Sequence, residues 1–334
     1  MSQENSLQIN FLSRIKDLVK DSNSFTDELA SVLNMSADSV YRRIRGETLL
    51  SINEIYDLCT HYNISFDLFT HNAKNIAFKY EAIVGGGGMD AFKTYLNSVL
   101  YDLKLIARPE NKQVIYAAID VPIFHHFNYP ELSAFKMFYW MKAVVSVPEL
   151  DNKKFSVEHI SPEFAELGKQ IFETYCKIPS IEIWTDETIN SLIKQIEFFW
   201  DTGNFASQED ALTVCEQALN EIETLSKQAE IGNKDLKELN DDSNFVLYHS
   251  QIEIGNNCIY TKRADVEIVY LSMHTFNKIA TGNPAFIKDT QVWLNNLIKK
   301  SNKISGESQI HRYKFFKRAS NKLDKLKAKI IAFE

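Results

Sequence analysis

The chain has 334 residues, 45% of them hydrophobic, and carries 44 acidic against 37 basic side chains for a formal charge of −7. That length allows two or three domains and a full-sized core. No apolar run is long enough to span a bilayer, and the opening MSQENSLQINFLSRIKDLVK lacks the basic-then-apolar order of a signal peptide, so a cytoplasmic protein without membrane contact is expected.

In chain order, the first expected helix covers residues 5–20. Ser24-Phe25-Thr26-Asp27 reads as the capped start of a second, short one with Leu29, Ala30 and Leu33 at helical spacing. After a turn at Asn34-Met35, Ser36 caps a third helix whose inward stripe is Val40 and Ile44, and Gly46 ends it. On that helix Asp38, Arg42 and Arg45 share the face opposite the stripe, Ser39 and Arg43 lie on a flank, and Tyr41 sits at the edge. One face is therefore basic in a chain that is acidic overall. Ser51-Ile52-Asn53-Glu54 is a capping box, with Leu50 and Ile55 as its hydrophobic staple. Ile55, Leu58 and Cys59 point inward from the helix it starts. After Asn63, Ser65 caps a fifth helix with Phe66 and Phe69.

This ordered set resembles the lambda-repressor-like (Cro-type) helix-turn-helix family over residues 5–72. The match rests on Leu29-Ala30, the turn at Asn34, Ser36, Val40, the Ile44-Arg45-Gly46 exit and the capped helix ending in YNISFDLF. Asn34 replaces the family's usual turn glycine, which asparagine can do because it tolerates the left-handed conformation. Arg43 occupies a position that is often apolar in the family. The resemblance implies a DNA-binding domain whose third helix enters the major groove, with Ser36, Ala37, Asp38, Ser39, Tyr41, Arg42, Arg43 and Arg45 as the DNA-facing residues. Arg42 and Arg45 suit guanine edges, while Ser39, Tyr41 and Arg43 suit phosphates. Asp38 either accepts from cytosine N4 or favours the helix N-terminus through the macrodipole.

Beyond the head the sequence is less specific. The Gly85–Gly88 run is followed by no G-K-[ST], so a hinge within a linker over 73–89 is expected and a phosphate loop is not. From Asp90 to about Glu238 apolar residues recur at helical spacing, as in Ile189, Leu192, Ile193, Ile196 and Phe199. The aromatic run from Phe124 to Trp140 reads as core before it reads as a ligand pocket. His125-His126 has no ligand-spaced partner for a metal, and the separated Cys59, Cys176, Cys215 and Cys258 suit reduced thiols. Residues 245–271 change to a β-rich pattern with turns at Gly255-Asn256-Asn257 and Arg263-Ala264-Asp265, a small antiparallel meander. The end of the chain carries a seam at Phe316, Ala319, Leu323, Leu326, Ile330 and Phe333 that packs on its own domain or forms a dimer contact. The acidic 151–242 stretch and the basic 299–329 stretch read as solvated faces attracting one another, with nucleic-acid contact by the basic stretch as the alternative.

The expectation is thus a mainly α protein. A five-helix head over 1–72 precedes a mostly helical regulatory or oligomerisation domain over 90–334. No catalytic set, metal or cofactor is expected. The expected partners are double-stranded DNA, a second copy of the chain and a small-molecule or peptide effector. A head that binds protein partners in an assembly is the alternative function.

Overall fold

The computed structural model describes all residues except 1–2, 19–24, 63, 65, 67–75, 77, 82–87, 237–242, 274–276 and 334. The chain divides into two compact units, 1–78 and 79–334.

In the first unit, α1 (Gln3–Leu18), α2 (Phe25–Val32), α3 (Ala37–Ile44) and α4 (Ile52–His61) enclose a core of Phe11, Leu12, Ile15, Phe25, Leu29, Val40 and Leu58. The Ser51–Glu54 capping box forms: Ser51 Oγ accepts from the Glu54 N–H, and Glu54 Oε2 accepts from the Ser51 N–H at 2.6 Å. Of the fifth expected helix, Ser65 and Phe69 fall outside the described residues, and Phe66 is half-buried against this core. The Ser24 cap and Gly85–Gly87 also fall outside the described residues.

The second unit corrects the expected fold class. It is not a helical domain with a small meander, because an eight-stranded mixed sheet runs through it in the order β1-β7-β6-β5-β2-β3-β4-β8. Its strands are β1 (Lys79–Glu81), β2 (Lys112–Ala118), β3 (Ser180–Trp184), β4 (Phe245–His249), β5 (Cys258–Arg263), β6 (Val266–Met273), β7 (Asn277–Thr281) and β8 (Asn302–Lys303). β2, β3 and β4 are parallel, with Ile183 opposite both Ala117 and Tyr248. The expected meander over 245–271 is therefore divided. β4 pairs with β3 and β8, while β5 continues into β6 and β7 and docks antiparallel on β2.

Strand alternation gives the sheet two different faces. Val114, Tyr116, Ala118, Trp184, Phe245 and Leu247 face the larger core, which also takes in α5 (Gly88–Ala107), α6 (Ile123–His126), α7 (Pro130–Tyr139), α8 (Pro162–Cys176), α9 (Asp186–Asp201), α10 (Gln208–Ile231) and α12 (Gln309–Ile331). Ile115, Ala117 and Ile183 face the other way, toward Ile287, Leu294 and Leu297 of α11 (Pro284–Lys299). Phe124, Phe127, Phe135 and Trp140 all belong to the larger core, with Phe135 stacked on Phe205 at 5.4 Å. Of the C-terminal seam, Phe316, Ala319, Leu323, Leu326 and Ile330 are buried in the same core, whereas Phe333 is exposed. No helix among the described residues is long and apolar enough to cross a membrane.

Candidate nucleic-acid interface

The α2–turn–α3 unit is built from short-range hydrogen bonds. Leu33 N–H donates to the Leu29 carbonyl at 2.9 Å and Met35 N–H to the Ala30 carbonyl at 3.0 Å, while Asn34 between them adopts φ 50°. An asparagine meets that left-handed requirement at little cost. Ser36 then caps α3 by accepting from the Ser39 N–H. Gly46, at φ 73°, reverses the chain, and the Glu47 and Thr48 N–H groups return to the Arg42 carbonyl at 2.8 and 3.3 Å. Gln8 of α1 holds this exit in place. Its Nε2 donates to the Arg43 and Thr48 carbonyls, and its Oε1 accepts from Leu50 N–H, each at 2.8 Å.

The eight residues expected to face DNA separate into two groups. Ser36, Ala37, Asp38, Tyr41, Arg42 and Arg45 are exposed. Arg42 makes no hydrogen bond or ion pair among the described residues, so its guanidinium is available for a ligand. Arg45 is solvated but shared: Nε and Nη2 donate to Glu47 at 2.7 and 3.1 Å, and that bond keeps its pKa raised and the Glu47 carboxyl lowered. Arg43 and Ser39 are half-buried. Arg43 Nη2 donates to Glu54 Oε1 at 2.7 Å and Nη1 to the Ser39 carbonyl at 3.2 Å, which ties α3 to α4. Burial works against ionisation of Glu54, but the Ser51 N–H and Arg43 outweigh it and hold its carboxyl below the ordinary range. The guanidinium that sequence spacing offers to phosphate is thus engaged within the head. Arg42 and Arg45, with Tyr41 beside them, form the outward basic set.

Neither the Gln8 brace nor the Arg43–Glu54 pair is visible in spacing. Gln8 looks like one polar residue among several on α1, and Arg43 and Glu54 lie on different helices. The only sequence signal for Glu54 is its place in the capping box.

The second unit buries several ionisable clusters. Glu182, with no exposure, accepts from Tyr175 at 2.7 Å and Trp184 Nε1 at 2.9 Å and pairs with His125 Nε2 at 2.9 Å. Burial opposes ionisation there too, but His125 and Tyr175 keep the carboxyl lowered. Lys234 Nζ joins this cluster, donating to the Ile178 carbonyl and to Ser180 Oγ and lying over the Tyr175 ring. His126 Nδ1 pairs with Glu221 at 2.8 Å, and Lys136 Nζ bonds Asp120 and Gln195 at 2.6 Å each. His125-His126 is therefore two separate histidine–carboxylate pairs. Among the described residues no group of three histidines, cysteines or carboxylates could hold a metal ion. His125, His126, Lys136, Glu182, Glu221 and Lys234 are each buried.

Comparison with protein-family models, curated proteins and solved structures returns no match for this chain.

Proposed function

We propose that the first unit is a Cro-type helix-turn-helix head that presents α3 to the major groove of double-stranded DNA, and that the chain is a cytoplasmic transcriptional regulator. The observation that carries this reading is the capped α3 with Arg42 and Arg45 solvent-facing on its outer side, next to exposed Tyr41. An arginine there reaches guanine O6 and N7 in bidentate geometry. A single head of this kind covers one half-site, so the functional species is a homodimer with half-sites one DNA turn apart.

The test is binding of the full chain to duplexes selected from a random pool. Arg42→Ala should weaken binding to the selected site by about 10- to 100-fold and relax preference at one base position. A phosphate-contacting variant would instead weaken all sequences alike and reduce the salt slope by about one. Wild-type affinity in both Arg42→Ala and Arg45→Ala, with unchanged circular dichroism, would refute the reading.

A head that binds protein is the second reading, and a specific surface favours it. Leu49, Ile52 and Tyr56 are 61%, 85% and 68% exposed, an apolar strip leading onto the outer side of α4. The first unit also carries ten acids against seven lysines and arginines. Under this reading Ile52→Glu abolishes partner capture while Arg42→Ala leaves it intact.

A further inference from the structure

The basic α12 does not carry a uniform positive face. Arg318 Nη2 donates to Asp186 at 3.0 Å, Lys322 to Asn190 at 2.6 Å, and Lys329 to Glu197 and Asp201 at 2.8 and 2.9 Å, so α9 engages three of its cations. Arg312 is buried against the Ile304 and Gly306 carbonyls and pairs with Glu230. Lys314 and Lys317 are different. Both are exposed and neither makes an ion pair or hydrogen bond among the described residues.

These two lysines line an open groove of about 390 Å³ between the first half of α12 and the carboxyl end of β4. His249, the last residue of β4, forms its floor, with the imidazole against the Phe315 ring at 4.7 Å. His249 Nε2 lies 3.1 Å from Asp186 Oδ1, the same oxygen that takes Arg318, so one carboxylate fixes two lining side chains. Gln251, whose Nε2 lies 3.3 Å from His249 Nε2, and Asn302 add side-chain amides to the lining. The lining holds three permanent cations and no carboxylate.

Position and size narrow the ligand. The groove opens beyond the carboxyl end of a parallel strand, the end of an α/β sheet at which ligands commonly bind. Its volume falls in the range of small-molecule sites and exceeds what a bare inorganic anion fills. Two lysines one turn apart, backed by Arg318 on the next residue, match the clustered acceptor oxygens and double charge of a phosphate monoester. Exposed Tyr313 on the rim offers a ring to an organic moiety. We propose that this groove is a binding site for a small phosphate ester of nucleotide size. The inference does not depend on the DNA reading, since it concerns ligand binding to the second unit alone.

Isothermal titration calorimetry on the full chain, with AMP, ribose 5-phosphate, adenosine and inorganic phosphate as probes, tests it. At least one of AMP and ribose 5-phosphate should bind saturably, tenfold or more tightly than both adenosine and inorganic phosphate. Lys314→Glu/Lys317→Glu should cut that affinity at least tenfold without changing the melting temperature, because both side chains are solvated. Lys325→Glu, on an exposed part of α12 outside the groove, should leave it unchanged. No binding of either ester, equal binding of inorganic phosphate, equal binding of adenosine, or an equal loss in Lys325→Glu would each overturn the proposal. If the double variant melts early, Lys317→Ala alone decides: unchanged ester affinity overturns the proposal and a severalfold loss upholds it.

Discussion

Arg43 gives a sharp test of whether its bonds to Glu54 and to the Ser39 carbonyl hold α3 on α4. Arg43→Met keeps an apolar stem of similar length and removes the guanidinium, and with it the bonds to Glu54 and to the Ser39 carbonyl. The paired side chains are only 17% and 16% exposed. A hydrogen bond to a charged partner contributes about 1.5–3 kcal/mol, and the remaining solvent contact puts this one toward the lower end, about 2 kcal/mol. Glu54 keeps its bond from the Ser51 N–H, so α4 retains its cap. The head contains no tryptophan, so amide hydrogen exchange of the full chain over Val40 and Leu58 is the suitable readout. A loss of about 2 kcal/mol in local opening free energy appears there as about 30-fold faster exchange. Glu54→Gln preserves the capping box and weakens only the charge pairing, so the double-mutant cycle should give a coupling of about 1 kcal/mol. The lowered Glu54 carboxyl adds a sign: its contribution is present above the carboxylate range and is lost as pH falls through it. Exchange rates in Arg43→Met within about twofold of wild type, or additive behaviour in the cycle, would show that Arg43 is free and restore it as a candidate for phosphate.

Other outcomes follow from the second unit. Burial pulls Lys234 down to about 8. The folded chain therefore loses that proton before the unfolded chain does, and stability from this group rises with pH above about 8 by up to about 1.4 kcal/mol per unit. In urea unfolding the wild-type-minus-Lys234→Met difference should increase from pH 7.5 to 9; a constant difference counts against a buried, proton-releasing Lys234. The buried thiols, with Cys176, Cys215 and Cys258 pushed up to about 12, act in the opposite direction at higher pH but cancel in that comparison. Phe135→Ala empties a fully buried site among Phe155, Phe199 and Phe205 and should cost about 3–5 kcal/mol by the same method. A cost below about 1 kcal/mol would mean that the cluster collapses around the gap.

The caps and turns of the first unit were legible because their signals are local. The Ser36 cap, the left-handed Asn34, the Gly46 exit and the Ser51–Glu54 box are each specified within four residues, and each appears in the structure as that chemistry requires. The stripe on α9 was legible for the same reason, since Ile189, Leu192, Ile193, Ile196 and Phe199 repeat at the helical period and are all buried. The sheet was not, and β2 shows why. In KQVIYAA the last five residues are buried, because the strand lies between two packed layers, so it has no apolar–polar alternation to report a strand. The unbroken apolar run Val114–Ile119 ends only at Asp120, so nothing within it marks a strand with one solvated face. SIEIW of β3 hides its nature differently: Glu182 looks like a solvent-facing position, yet it points into the larger core and is balanced by His125, Tyr175 and Trp184.

Partner choice lay further still from sequence. Gly255-Asn256-Asn257 makes 245–271 look like a continuous meander, but the chain uses that loop to cross from β4 to β5, which are separated by β3 and β2. Nothing within the loop encodes the distance. That is set by β3, whose backbone N–H and C=O groups pair with β2 along one edge and β4 along the other, each parallel neighbour being joined to it by a helical crossover. The same arrangement leaves the carboxyl end of β4 beside α12. His249 and Lys317, far apart in sequence, thus line one groove, and the paired acids of α9 leave Lys314 and Lys317 as its unneutralised charge.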